Sequence, residues 1–163
     1  HLRIHEQPML KKALGRAPYD AEGVATSARD QVTDGILQSY GWSSFKACNL
    51  GRETTGNAGG VRNLIIETGD KDLEALLKSM DTGLLVTELI GFGVNNVTGD
   101  YSRGAAGFWV EGGEIQYPVD EITVAGNLKD MFMKIVEVGN DVDLRGNTRT
   151  GSVLLEEMTI AGS

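Results

Sequence analysis

One cysteine, Cys48, stands in the 163 residues, so an internal disulfide is excluded and the fold must hold by packing, as suits a reducing compartment. The two histidines, His1 and His5, lie at the extreme amino end. No stretch approaches the roughly 18 apolar residues of a membrane span, and the amino terminus lacks the charged-then-apolar order of a signal peptide. A soluble chain with no membrane partner is expected. There is no Lys/Arg block: the formal charge is -8 and the pI about 4.7, with acids scattered throughout. A phosphate backbone would meet repulsion over most of the surface, so direct nucleic-acid binding is not expected. Internal repeats and low-complexity tracts are also missing. The chain opens on His1, and Leu2-Arg3-Ile4-His5 alternates as though already inside a strand, which suggests a fragment of a longer chain.

The sequence does contain enough apolar material, 40% of residues, to bury one sizeable core, and a single domain spanning 1–163 is expected. Its 22 glycines are spread along the chain and so punctuate many short elements rather than mark one linker. Arg29 to Val32 and Ile36 to Tyr40 flank Thr33-Asp34-Gly35, a hairpin signal; Ala106 to Glu111 and Glu114 to Val119 flank Gly112-Gly113, another. Leu84 to Leu89, Glu121 to Ala125 and Val153 to Ile160 are further strand candidates. Leu73, Leu76, Leu77 and Met80 recur at helical spacing behind Asp70 and Asp72, acids suited to a helix amino end. A second helix opens at the capping residue Asn127 and aligns Leu128, Met131, Phe132 and Ile135. Around Cys48 a short amphipathic helix should bury the thiol as a small apolar group. Strands and helices do not alternate, so a doubly wound sheet is disfavoured. The expected class is α+β, β-rich, with a mostly antiparallel sheet and a few short helices.

Most motifs that would carry chemistry fail on their spacing. His5-Glu6 is the one His-Glu pair, but Leu10 stands where a second His is needed and Pro8 would break the helix. His1 and His5 would lie about 13 Å apart along a strand, too far for one metal. Asp141-Val142-Asp143-Leu144-Arg145-Gly146 begins like a calcium loop, yet Arg145 places a cation among the ligands and Ser152 replaces the bidentate Glu. Ser102 in Gly99 to Gly104 is out of register for a nucleophile elbow. Gly91-Phe92-Gly93 and Gly56-Asn57-Ala58-Gly59-Gly60 lack the remaining residues of nucleotide-binding loops.

What survives is Gly99, Asp100, Tyr101, Ser102, Arg103 and Gly104, continuing to Gly107-Phe108-Trp109. Flexible backbone, two charges and amphipathic rings could take an extended peptide as an added strand, or meet a partner subunit. In the alternative reading, Asp100 and Arg103 pair to brace a loop while Tyr101, Phe108 and Trp109 are core.

The whole run Thr98-Gly99-Asp100-Tyr101-Ser102-Arg103-Gly104-Ala105-Ala106-Gly107-Phe108-Trp109-Val110, with Tyr117-Pro118-Val119 and Ile122 to Met131 after it, resembles the carboxy-terminal part of the TldD/PmbA metalloprotease family. The likeness extends through Pro18 to Val24, Thr55 to Gly60, Gly83 to Leu89 and Gly151 to Leu155, and is on the PmbA (TldE)-like side. It implies a cytoplasmic, heteromeric zinc protease in which a TldD-like partner holds zinc and hydrolyses small or unfolded peptides. The family's catalytic subunit carries His-Glu-x-x-x-His and a Cys near the carboxy terminus, in the stretch matching Arg149-Thr150-Gly151. Neither is present in this chain, so the resemblance implies a non-catalytic subunit with no cofactor of its own. It leaves open a regulatory role, since family members are linked to modulation of DNA gyrase, to antitoxin degradation and to maturation of a peptide antibiotic. Surface normally covered by the rest of a longer chain could also drive self-association.

Overall fold

The computed structural model describes residues 2–162; His1, and with it the His1–His5 pair, lies outside them. In chain order the elements are β1 (Ile4–Glu6), β2 (Arg29–Thr33), β3 (Ile36–Leu37), α1 (Ser44–Asn49), β4 (Leu64–Ile66), α2 (Leu73–Met80) and β5 (Gly83–Ile90). They continue with β6 (Asp100–Glu111), β7 (Glu114–Asn127), α3 (Leu128–Met133), β8 (Ile135–Val138), β9 (Thr148–Arg149), β10 (Val153–Leu155) and β11 (Thr159–Ala161). The class is α+β and β-rich, and every strand pairing but one is antiparallel.

Both glycine turns close hairpins. Asp34 and Gly35 take φ of 51° and 74°, and Gly112 and Gly113 take 62° and 76°; two successive positive φ values give the primed turn whose twist matches paired strands. The first joins β2 to β3, the second β6 to β7.

The chain separates into two compact units, one of residues up to Thr68 with Val142–Gly151, the other Gly69–Asp141 with Ser152 onward. In the first, strands run in the order β3-β2-β1-β4-β9, with β4 and β9 parallel. β1 has only three residues, and polar side chains rather than apolar bulk fix the loops around it. Glu6 is 1% exposed and accepts hydrogen bonds from Asn57 Nδ2 at 2.8 Å and the Arg62 N–H at 2.6 Å. Arg29 stands 3.8 Å from the same carboxylate and donates to the Thr55 carbonyl. Buried Asn63 accepts from Gly15 N–H and donates to the Gln7 carbonyl. A buried polar group is tolerable only when paired in this way.

In the second unit the sheet order is β11-β7-β6-β5, all antiparallel, with β8 and β10 forming a separate pair. Ala105, Ile122 and Val124 form its buried core, with Leu84, Tyr101, Val119 and Met158 packed on them. Each large aliphatic buried in this way contributes about 1.5–3 kcal/mol relative to exposure. The helix expected over Leu73 to Met80 is α2, its amino end capped by Asp72, whose carboxylate accepts from Ala75 N–H at 2.9 Å. Asn127 caps α3 as expected, but that helix stops at Met133 and Ile135 begins β8.

Three expectations are corrected. Val153 to Ile160 is two strands, β10 and β11, in different sheets. β7 runs unbroken through Pro118, where β11, which reaches only residues 123–125, leaves the strand with a partner on one side alone, the edge setting in which a strand tolerates proline. Cys48 is exposed, because the six-residue α1 buries Ala47 alone.

Candidate functional site

Gly99 to Gly104 enters a central strand and is not a loop. β6 pairs with β7 from Asp100 through Glu111, and with β5 from Gly104 to Val110. Before Gly104 the place of β5 is taken by the returning connection: Val94 bridges Tyr101, the Ser102 N–H donates to the Gly93 carbonyl at 2.7 Å, and the Asn95 N–H donates to the Asp100 carbonyl at 2.8 Å. The segment therefore offers no free edge for an added strand, contrary to the sequence expectation. The edges of this sheet are β5 and β11.

The connection is held by Asn95, whose side chain accepts from the N–H groups of Val97 and Thr98. Gly93 is required for close approach: a Cβ there would lie 1.5 Å from the Ser102 carbonyl oxygen. Phe92 and Val97 are fully or almost fully exposed on this connection.

Asp100 and Arg103 do not pair. Three residues apart on a strand, they project from opposite faces. The Asp100 carboxylate accepts from Thr98 Oγ1 at 2.6 Å and Asn127 Nδ2 at 3.3 Å, tying the strand entry to the α3 cap. Gly99 completes that joint, its carbonyl accepting from Leu128 N–H at 2.7 Å. Ser102 is exposed on the Asp100 face, its hydroxyl hydrogen-bonded to no other side chain among the described residues, and Gly104 faces Ile90, a Cβ there meeting Ile90 Cβ at 3.3 Å. Tyr101 packs against the core, as the alternative reading had it.

Arg103 shares the core face with Tyr101 and Ala105, opposite Val124. Its Nη2 donates to the Leu89 carbonyl at 3.0 Å, while its Nε is buried with no hydrogen-bond partner. On the same face lies an apolar cavity of about 500 Å³, lined by α2 (Leu76, Leu77, Met80), by Leu84 and Trp109, and by Met158. Glu156 and Glu157 also border it; Glu157 is engaged by Lys134 Nζ at 2.5 Å, which holds its carboxyl below the usual range. The helical stripe Leu73 to Met80 was legible in the sequence. The cavity was not, because it depends on how far α2 stands from the sheet.

Among the described residues no metal centre is assembled. His5 and Glu6 are neighbours on β1 and so face opposite sides, and the Glu6 carboxylate is consumed by Asn57, Arg62 and Arg29. Among the described residues no three His, Cys, Asp or Glu side chains gather as ligands. The calcium-like acids are taken too: Asp143 by Arg145, which pulls its pKa to about 2, and Asp141 by Ser152 Oγ at 2.6 Å. These residues do not fit zinc.

Residues 1–162 match the PmbA/TldA metallopeptidase C-terminal domain. Metalloprotease PmbA of Escherichia coli O157:H7 is 58% identical over 161 residues, covering 99% of this chain and 36% of that protein. A metalloprotease TldD homolog of Buchnera aphidicola is more distant, 23% identical over 86% of the chain and 32% of its own length. Among solved structures, a candidate modulator of DNA gyrase from Bacteroides thetaiotaomicron superposes with a TM-score of 0.92 at 36% identity, over 99% of this chain and 37% of that one. TldE from Thermococcus kodakarensis does so with 0.82 at 26% identity, over 99% and 40%. The chain thus spans 32–40% of the length of these relatives.

Proposed function

The chain belongs to the PmbA/TldA metallopeptidase C-terminal domain family, and from that membership we propose that it is the carboxy-terminal domain of a non-catalytic, PmbA/TldE-like subunit. Its TldD-like partner would hold zinc and hydrolyse peptides, in the cytoplasm; this domain would wall the enclosure and stabilise the assembly. Relatives of both the TldD and the TldE kind are similar to this chain, and two that are 58% and 52% identical to it are named metalloproteases.

The observation that carries the reading is the construction of the fingerprint segment. Gly99 to Gly104 is built as scaffold: one carboxylate joins a helix cap, one ring joins the core, and the Ser102 hydroxyl is hydrogen-bonded to no other side chain among the described residues. Nucleophilic catalysis needs nucleophile and base within hydrogen-bond reach, and that arrangement is not made by these six residues. Binding elements do remain: β5 is an edge strand of eight residues that can accept an extended peptide, and Phe92 and Val97 offer apolar anchors for a partner subunit.

A regulatory reading has its own support, since two similar structures are described as candidate modulators of DNA gyrase. Co-purification separates the two. The protein mixed with a TldD-like subunit should elute with it as one complex, and Phe92→Asp with Val97→Asp should release it. Elution of the two subunits apart, with gyrase retained instead, would overturn the proposal.

A further inference from the structure

We infer that the apolar cavity lined by α2 and the sheet of the second unit, together with an acidic hollow beside it, holds the amino-terminal residue of a peptide that begins with a large aliphatic side chain. The inference deepens the peptide-processing reading and rests on it. The cavity's volume of about 500 Å³ falls within the size range of small-ligand pockets. Leu89, Val153 and Ile160 line it and are 41–46% exposed, so its wall opens to solvent instead of closing as core. Much of the remaining wall is Leu and Met side chains, among them Leu73, Met80 and Met158, a lining that adapts to varied aliphatic groups.

Charge decides which end of a peptide fits. A second hollow, of about 270 Å³, shares Met131, Glu157 and Met158 with the cavity and is bordered also by Asp130 and Lys134. Lys134 Nζ lies 2.5 Å from Glu157, and Asp130 and Glu156 act on the same ammonium through space, so that all three carboxylates favour its charged form. Three carboxylates around one ammonium leave a net charge of -2 where the two hollows meet. The Asp130 and Glu156 carboxylates accept no hydrogen bond among the described residues. A second cation is attracted there and an anion repelled, which excludes a carboxy terminus. A peptide's α-ammonium and its first side chain leave the same Cα, so the aliphatic group can fill the cavity while the cation meets Glu156 on the cavity's own border. A lysine ammonium, at the end of a four-carbon stem, brings the charge without an aliphatic group beside it.

Titration calorimetry in low-salt buffer with Leu-Leu-amide, its N-acetylated form and N-acetyl-Leu-Lys-amide tests this. The free amine should bind about fivefold more tightly than its acetylated form, and N-acetyl-Leu-Lys-amide no better than the latter. Glu156→Gln combined with Asp130→Asn, both at exposed positions, should erase that margin and leave weak binding of all three. Val153→Trp, which crowds the exposed part of the cavity wall, should weaken all three. Equal binding of free and acetylated peptide to the unaltered protein, an unchanged margin in the double variant, or binding of N-acetyl-Leu-Lys-amide as tight as that of Leu-Leu-amide would overturn the inference. Should the double variant not fold, the free–acetylated comparison on the unaltered protein still decides. Peptide hydrolysis by the mixture with a TldD-like subunit, measured separately, tells this failure from failure of the protease reading: hydrolysis without a preference for the free amine sinks the site alone.

Discussion

Replacing Glu6 by Gln keeps the side chain's size and removes its charge, so the consequence is electrostatic and not a cavity. The carboxylate is 1% exposed and gathers Asn57 Nδ2, the Arg62 N–H and, more weakly, Gln31 Nε2 at 3.5 Å. Arg29, 3.8 Å away with its side chain 14% exposed, would be left without a counter-charge. Breaking a buried pair from one side costs about 3–5 kcal/mol. Gln retains one acceptor oxygen, which places the value near 3, but turns an NH2 toward the Asn57 and Arg62 donors, which adds back part of the loss. At an m-value of about 2 kcal/mol/M the urea midpoint should fall by about 1.5–2 M. The reporter is Trp42, stacked on Tyr40 at 5.3 Å, read in a Trp109→Phe background so that the unit containing Glu6 is followed by itself. The double variant Glu6→Gln, Arg29→Gln should recover part of the loss, since no unpaired charge remains. A single-variant cost under about 1 kcal/mol with no recovery would refute the reasoning.

Other outcomes follow from the same geometry. Gly93→Ala would drive a methyl into the Ser102 carbonyl and should cost about 3 kcal/mol by thermal unfolding, whereas Gly23→Ala, at a φ of +78° with nothing within 4 Å, should cost about 1 kcal/mol. Asn127→Ala removes the α3 cap and the links to Thr98 and Asp100; a loss of about 1–2 kcal/mol is expected, with faster amide exchange at Leu128 and Lys129. Burial opposes ionisation of Asp20, but N–H donors from Val24, Ala58 and Glu22 outweigh it and hold its pKa below the ordinary 3.8. A carboxylate depressed in the fold stabilises above its ordinary pKa, and that stabilisation drains as pH falls through the lower folded value. Unfolding followed at successive pH values below 3.8 should therefore show an acid limb that flattens in Asp20→Asn.

Local turn and cap chemistry was the legible part of this fold. Asp34-Gly35, Gly112-Gly113, Asp72 and Asn127 act within a few residues of themselves, and each does what its side chain or missing side chain dictates. Long-range pairing was not legible. Nothing near Asp100 in sequence says that residues 93–95 fold back to occupy its edge, so a strand read as a loop, and Asp100 and Arg103 looked like partners although the pleat separates them. In the sequence Glu6 stands out only as half of a His-Glu pair, because its partners Asn57 and Arg62 lie more than fifty residues away. Cys48 misled for a simpler reason: a helix of six residues is too short to bury a second position beside Ala47. The six fingerprint residues are brought together on one strand entry, yet their neighbours, the cavity and the Leu89 carbonyl, come from elements that the sequence does not connect to them.

The most direct test of the central claim is peptide hydrolysis by the protein alone, by a TldD-like subunit alone and by the two mixed, each with and without a zinc chelator. Activity confined to samples containing the TldD-like subunit, greatest in the mixture and abolished by chelation, is the predicted result. Chelator-sensitive hydrolysis by this protein alone would contradict a non-catalytic role, and silence in every sample despite a stable complex would contradict the protease reading itself.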